Sequence, residues 1–268
     1  MLPALRNVPR GLWLDASVTG LFVFLGYFTQ SISLNLTEAN TSAFLCALSV
    51  ILTPLITSAA RKTLPGLGIG SASDEGPNWT AAILALTGVA MLEISPATSA
   101  FGLGDVWGIA QAFMFACGFI LNGRTMRKYP GSALQLAAIQ INIIALGSLA
   151  WYAADATVGG SAVPDMSQLI TSLSDTQTLL AVLFTGLITT AGCIAVETVA
   201  LKEVHASEMA VLLATEPVWA ALFSSVVLGE RMGWQGWLGG AIVMAGCLQS
   251  QSGSLKEYFA KRFGRKSS

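Results

Sequence analysis

The stretch Ser207-Glu208-Met209-Ala210-Val211-Leu212-Leu213-Ala214-Thr215-Glu216-Pro217-Val218-Trp219-Ala220-Ala221-Leu222, running on to Leu228-Gly229-Glu230-Arg231, decides the fold of this chain. It is apolar enough to sit in a bilayer, yet it carries a Glu-Pro pair, Glu216-Pro217, in its middle. An acid at membrane depth costs about 2.5–3.5 kcal/mol on insertion scales, so it is seldom found there without a partner, a cavity or a task. A proline at that depth frees a backbone carbonyl, which is tolerated only where protein or water satisfies it. The pair predicts a helix bent around something polar.

Outward from that stretch the chain keeps the same character. It has 268 residues, 53% hydrophobic and 11% charged, with a mean hydropathy of +0.65. Soluble domains carry about 25% charged residues. The apolar residues come in blocks of about 20, the length that crosses ~30 Å of hydrocarbon. The net charge is −1, and no basic run suits a phosphate backbone except a short C-terminal tail, so no nucleic-acid partner is expected. Cys46, Cys117, Cys193 and Cys247 each fall inside an apolar block without CxxC spacing, and read as small buried hydrophobes. One histidine, His205, and no Cys/His cluster leave no metal signature. With no GxGxxG or P-loop, no cofactor and no nucleotide-driven pumping are expected.

The blocks predict eight spanning helices: 13–34, 40–60, 79–96, 105–124, 133–154, 178–200, 207–229 and 234–250. Breakers separate them, among them Pro65-Gly66, Asp74-Glu75-Gly76-Pro77, Pro130-Gly131 and the polar run Asp155 to Asp175. With both termini placed in the cytoplasm, every Lys and Arg except Arg231 falls on the inside, as the positive-inside rule asks. Arg6 and Arg10 precede an apolar run from Leu12 to Leu34. That run is longer than a signal peptide's apolar region, so a retained span is expected.

Two helix pairs resemble each other. Thr19-Gly20-Leu21 through Gly26 leads, after a turn, to Thr41-Ser42-Ala43 and Thr53-Pro54-Leu55. Thr185-Gly186-Leu187 through Gly192 leads likewise to Val204-His205-Ala206 and Glu216-Pro217-Val218. The predicted orientation inverts one copy relative to the other. Inverted repeats are the build of many secondary transporters, with the solute site between the repeats near the midplane.

The segment Ala206-Ser207, then Leu212-Leu213-Ala214-Thr215-Glu216-Pro217-Val218, then Leu228-Gly229-Glu230-Arg231, then Gly236-Trp237-Leu238-Gly239-Gly240 through Gly246 resembles the end of an EamA-type transporter of the drug/metabolite transporter superfamily. Gly26-Tyr27-Phe28, Gln30, Thr37 and Val50-Ile51-Leu52-Thr53-Pro54-Leu55 agree with it. The resemblance implies an all-α, polytopic membrane helix bundle of inverted-repeat architecture. It implies a ten-helix fold that here begins at its third helix, with residues 1–96 an incomplete first repeat of three spans. Residues 97–252 would be the second repeat of five spans, and 253–268 a basic cytoplasmic tail. The first repeat also lacks Gly-Glu-Arg, where Arg61-Lys62-Thr63-Leu64-Pro65 stands instead. A missing hairpin would open one side of the cavity to lipid, so pairing of two copies to cover that face is a further expectation.

Glu216 is the leading site candidate, and two readings of it stand. It lines a cavity, where it can carry a proton, or it caps backbone amides freed at the Pro217 bend. Thr215, Thr53, Ser49, Gln30, Gln111, Thr190 and Trp219 are the other cavity candidates, and Pro54 and Pro217 shape their helices. Taken singly, each in-span polar residue also suits an interhelical hydrogen bond, worth about 0.6 kcal/mol on average. The spans hold no Lys or Arg at depth, which favours an uncharged, amphiphilic or cationic solute over a phosphate ester. No Ser/His/Asp set points to an enzyme. The expected function is secondary transport of a small organic metabolite by alternating access, proton-coupled through Glu216. The alternative is a non-transporting remnant or assembly partner of a full-length carrier.

The orientation yields a first prediction. A sidedness reporter fused to the C-terminus should read the cytoplasm, and one in the Asp155–Asp175 loop the opposite side. Both reporters on one side would contradict the eight-span topology.

Overall fold

The computed structural model describes residues 8–63, 101–158, 166–200, 216–229 and 233–250, together with Thr80, Ile83, Leu84, Thr87, Gly88 and Met91. Among these residues every regular element is helical. They are α1 (Arg10–Leu36), α2 (Ala39–Thr63), α3 (Leu103–Lys128), α4 (Ala133–Val158), α5 (Met166–Ser174), α6 (Thr176–Leu183), α7 (Cys193–Ala200), α8 (Glu216–Phe223) and α9 (Trp234–Ser250). A π-helical segment, Phe184–Gly192, joins α6 to α7, and another, Ser224–Leu228, follows α8. The isolated residues between Thr80 and Met91 are helical too.

Among the described residues, five helices are long and apolar enough to cross a membrane: Arg10–Leu36, Thr41–Ala60, Leu103–Lys128, Ala133–Ala154 and Thr176–Val199. They occupy five of the eight expected spans and overrun several of their ends. The spans expected at 79–96 and 207–229 lie partly outside the described residues. Helix α9 covers the last span with 17 residues, near the lower limit for crossing hydrocarbon. The chain is a polytopic helical membrane protein.

One element departs from expectation. The run between Asp155 and Asp175 reads as a polar loop, but it contains α5. Met166, Leu169, Ile170 and Leu173 are spaced i, i+3, i+4, i+7, a helical period hidden among serines and threonines. Asp175 then starts α6. Its carboxylate accepts from the Thr178 backbone N–H at 2.9 Å and from the Thr178 hydroxyl at 2.7 Å, satisfying donors the first helical turn leaves open.

Contacts divide the chain into two compact units: Met1–Phe24 with Thr125–Glu203, and Leu25–Arg124 with Val204–Ser268. In the first, Ala16, Met126, Ala133, Leu136 and Ile139 form a buried cluster, flanked by Val8 and Ile143. Gly20 lets the start of α1 lie close to α4, where an added Cβ would fall 3.1 Å from the Gln140 Cα. The Lys128 ammonium donates to Asp15 at 2.8 Å and sits 5.1 Å from the Tyr129 ring centroid. This ties the end of α3 to the start of α1. Thr176–Val199 is scarcely covered by protein; Leu187, at 65% exposure, is one of many bare apolar side chains on it. In water such a helix would be a liability, but in hydrocarbon an apolar surface meets an apolar solvent.

In the second unit Phe44, Leu45, Ala47, Leu48 and Ile51 of α2 pack with Ala112 of α3 and with Val243 and Cys247 of α9. The end of α1 runs along α3 in the opposite direction. The Tyr27 and Phe115 rings meet edge-on at 5.3 Å, and the Thr37 hydroxyl donates to Asp105 at 3.1 Å. Asp105 also accepts from the Gly102 N–H at 2.8 Å, which makes it the brace at that corner. Thr80 and Gly88 both lie against α9. Gln249 reaches Thr80 at 3.4 Å, and Gly88 abuts the α9 backbone. A Cβ on Gly88 would fall 2.6 Å from the Val243 N and 2.7 Å from the Gly239 O, closer than any side chain permits.

Two predictions follow from this packing. Gly88→Ala should cost about 1–3 kcal/mol, because backbone atoms must move apart, read as a fall of several degrees in detergent Tm. Gly123 in α3 has open space where its Cβ would go, so Gly123→Ala should gain up to about 1 kcal/mol from helix propensity. Separately, its bonds from Thr178 hold the Asp175 carboxyl below its ordinary 3.8. That contribution is therefore complete above pH 3.8 and is lost as pH falls through the lowered value. Amide exchange in the first turn of α6 should speed up below that pH, and Asp175→Ala should show the same speed at neutral pH.

Candidate functional site

The site is built on one face of α2. Ser42, Cys46, Ser49 and Thr53 stand at i, i+4, i+7 and i+11, a single stripe on a 3.6-residue helix. Ser42 and Ser49 are buried, and Cys46 and Thr53 half-buried. The stripe runs up to Pro54, which α2 passes without ending. Pro54 has no N–H, so the carbonyl one turn back loses its usual donor. On either side of the proline, threonine hydroxyls bond the backbone: Thr53 to the Ser49 carbonyl and Thr57 to the Thr53 carbonyl, each at 2.7 Å.

Gln111 of α3 faces this stripe. Its side chain is wholly buried. The Ser42 hydroxyl donates to Gln111 Oε1 at 3.4 Å, while Gln111 Nε2 has no hydrogen-bond partner among the described residues. Leaving a buried donor unsatisfied costs about 1–3 kcal/mol. Such an expense inside a bundle marks a position kept for a reason other than stability. The amide of Gln111 lies close to the Cys46 thiol without meeting hydrogen-bond geometry, and the Glu216 carboxylate is near enough to act electrostatically on that thiol. Glu216 stands in the first turn of α8, which packs against α2. It is exposed at the surface of the protein.

The structure thus brings Ser49, Thr53, Gln111 and Glu216 into one unit, with Ser42 and Cys46 beside them. Gln30, half-buried on α1, belongs to the same unit. Near it Ser33 is buried with no partner for its hydroxyl among the described residues. Trp219 lies three residues after Glu216 on α8 and is 57% exposed. Thr190 lies in the other unit, half-buried in the π-helical segment Phe184–Gly192. Thr215 falls outside the described residues. Pro217 is helical in α8, which passes into the π segment and ends at Gly229. Gly229 has φ 69°, a left-handed cap that favours glycine. Ser42 and Cys46 are the functional candidates that sequence reasoning passed over. Their signal was the four-residue polar stripe on α2, visible once that helix is drawn as a wheel.

A prediction tests whether Gln111 is there to hold the fold. Gln111→Met removes an unsatisfied buried amide and keeps the volume. Detergent Tm should hold or rise, since the orphan donor disappears. A fall of more than a few degrees would mean that Gln111 braces the bundle.

Comparison with known proteins places this geometry in a family. The family model for the EamA-like transporter family matches residues 102–250, just over half of the chain. No curated protein matches it. A solved structure titled "Crystal structure of protein" aligns with a TM-score of 0.56 at 18% identity, over 92% of this chain and 78% of its own length. At that identity the likeness speaks for the fold alone. The extent of the family match, on a chain of membrane-spanning helices, shows that this protein belongs to the EamA-like transporter family.

Proposed function

We propose that this chain is a secondary carrier that moves a small organic solute by alternating access, with Glu216 on the solute path. Membership of a transporter family supplies the general activity. The observation that carries the finer reading is the packing of α8, with Glu216 in its first turn, against α2, the helix that carries the polar stripe. A carboxylate that only braced a helix bend would have no need of that company. It would be expected among backbone amides.

The same arrangement suits coupling to protons. A carboxylate in a site that opens and closes meets two dielectric environments in one cycle, and its proton affinity changes between them. With no Lys or Arg in the depth of the spans, the solute is read as uncharged, amphiphilic or cationic. Binding and moving such a solute asks for no catalytic triad. The role is that of a carrier and not of an enzyme, with both termini on the cytoplasmic side.

The test is uptake into proteoliposomes under an imposed pH gradient, screened with a panel of labelled neutral and cationic metabolites. Glu216→Gln should reduce pH-driven uptake at least about tenfold while membrane protein level stays near normal, because Gln keeps size and hydrogen bonding but cannot titrate. Uptake by Glu216→Gln that still follows the gradient would remove the proton role. A wild-type protein that moves nothing yet co-purifies with a larger carrier would favour an assembly role.

A further inference from the structure

We propose that the start of α1, where the end of α3 meets it, binds an anionic phospholipid, with Arg10 and Arg127 holding the headgroup phosphate and the bare stripe of α1 seating the acyl chains.

Two spans set this place at the bilayer surface. The span Arg10–Leu36 begins at Arg10, and the span Leu103–Lys128 ends at Lys128. Those two ends are neighbours. The Lys128 ammonium donates to Asp15 at 2.8 Å, and a Cβ on Gly11 would fall 2.5 Å from the Tyr129 hydroxyl. The beginning of one span and the end of the other therefore lie at one face of the membrane, at headgroup depth. Arg10, Gly11, Asp15, Arg127, Lys128 and Tyr129 all belong to one compact unit.

The charges at this end are unevenly matched. Lys128 takes up Asp15. Arg10 and Arg127 are exposed, and neither makes an ion pair among the described residues. A guanidinium is always charged and presents a planar fork that fits two oxygens of a phosphate. Two free forks at headgroup depth ask for a phosphodiester.

The surface below Arg10 says which kind of anion. Arg10, Leu14, Val18 and Leu21 stand at i, i+4, i+8 and i+11, one face of a helix. Leu14 is 71% exposed, and Val18 and Leu21 48% each. Trp13, three residues after Arg10, is exposed too, at the level where indole rings sit between headgroups and chains. The face passes from cation through indole to bare hydrocarbon, the order of a phospholipid's headgroup, glycerol and chains. A soluble anion would use the arginines and leave the stripe without a role. A second copy related by two-fold symmetry would bring its own arginines against these two, like charge on like charge. The orientation proposed above turns this end to the cytoplasm, the side whose leaflet carries anionic lipid.

Quenching of Trp13 by brominated lipid tests this on the full chain in phosphatidylcholine vesicles. A minor share of the lipid, either phosphatidylglycerol or phosphatidylcholine, carries chains brominated near the headgroup. The Trp13 signal is the difference between the protein and its Trp13→Phe counterpart. At equal mole fraction, the quenching constant should be at least about threefold larger for brominated phosphatidylglycerol. Arg10→Gln with Arg127→Gln should bring the two lipids to parity. Arg61→Gln with Lys62→Gln removes as much charge from the end of α2 and should leave the preference intact. Equal quenching by the two lipids in the wild type would overturn the proposal whatever the variants do. So would a preference that survives loss of both arginines, or one that the α2 substitutions also abolish, which marks diffuse attraction to a basic face. Suppression of the preference by inorganic phosphate would mark a soluble-anion site and overturn the lipid assignment.

Discussion

A carboxylate and an amide held among apolar helices are the constraint on which this structure turns. Hydrocarbon offers neither group a hydrogen bond, so each must be met by protein, water or solute. The polar stripe on α2 meets part of that need. Ser42 donates to the Gln111 oxygen, Cys46 stands one turn on along the same stripe, and Thr53 folds its own hydroxyl back onto the helix. What remains unmet is the Gln111 nitrogen. A stable bundle would bury a leucine there. An orphan amide in the interior of the bundle makes sense as a place for something that comes and goes.

The packing around the stripe shows how helices come close enough to build it. With no hydrophobic gain to be had between helices in lipid, close fit and small residues do the work. Gly88 lets one helix lie directly on the backbone of α9. The edge-on Tyr27–Phe115 pair sets the end of α1 against α3, and Asp105 ties down the corner where α3 begins. The Phe44 cluster then clamps α2 between α3 and α9. Gln111 lies one residue before Ala112 of that cluster, so its place on α3 is set next to the contact that α3 makes with α2.

The membrane class and the family were legible in the sequence because they rest on coarse signals: apolar blocks of span length and the Glu-Pro to Gly-Glu-Arg spacing. Glu216 stood out for the same reason, being an acid where acids are costly. Gln111 was visible only as one polar residue among several. Its significance depends on Ser42 taking one end of its amide, a pairing across 69 positions that no local pattern announces. Cys46 read as a small hydrophobe, which its composition supports, and only its neighbours change that reading. Helix α5 was hidden by its serines and threonines, which mask a helical period in any count of polarity. The π-helical segments had no sequence signal, since runs of nine and five residues are too short to show a period of their own.

The central claim is that the Glu216 side chain faces a water-accessible interior and not lipid. A spin label at Glu216→Cys, in a background with the native cysteines replaced, reports this through its collision rates with a water-soluble nickel complex and with lipid-soluble oxygen. A label at Leu187→Cys, on the bare face of Thr176–Val199, supplies the lipid reference. The label at 216 should collide more with nickel, and the label at 187 more with oxygen. Oxygen-dominated collisions at both positions would place Glu216 against lipid and contradict the account.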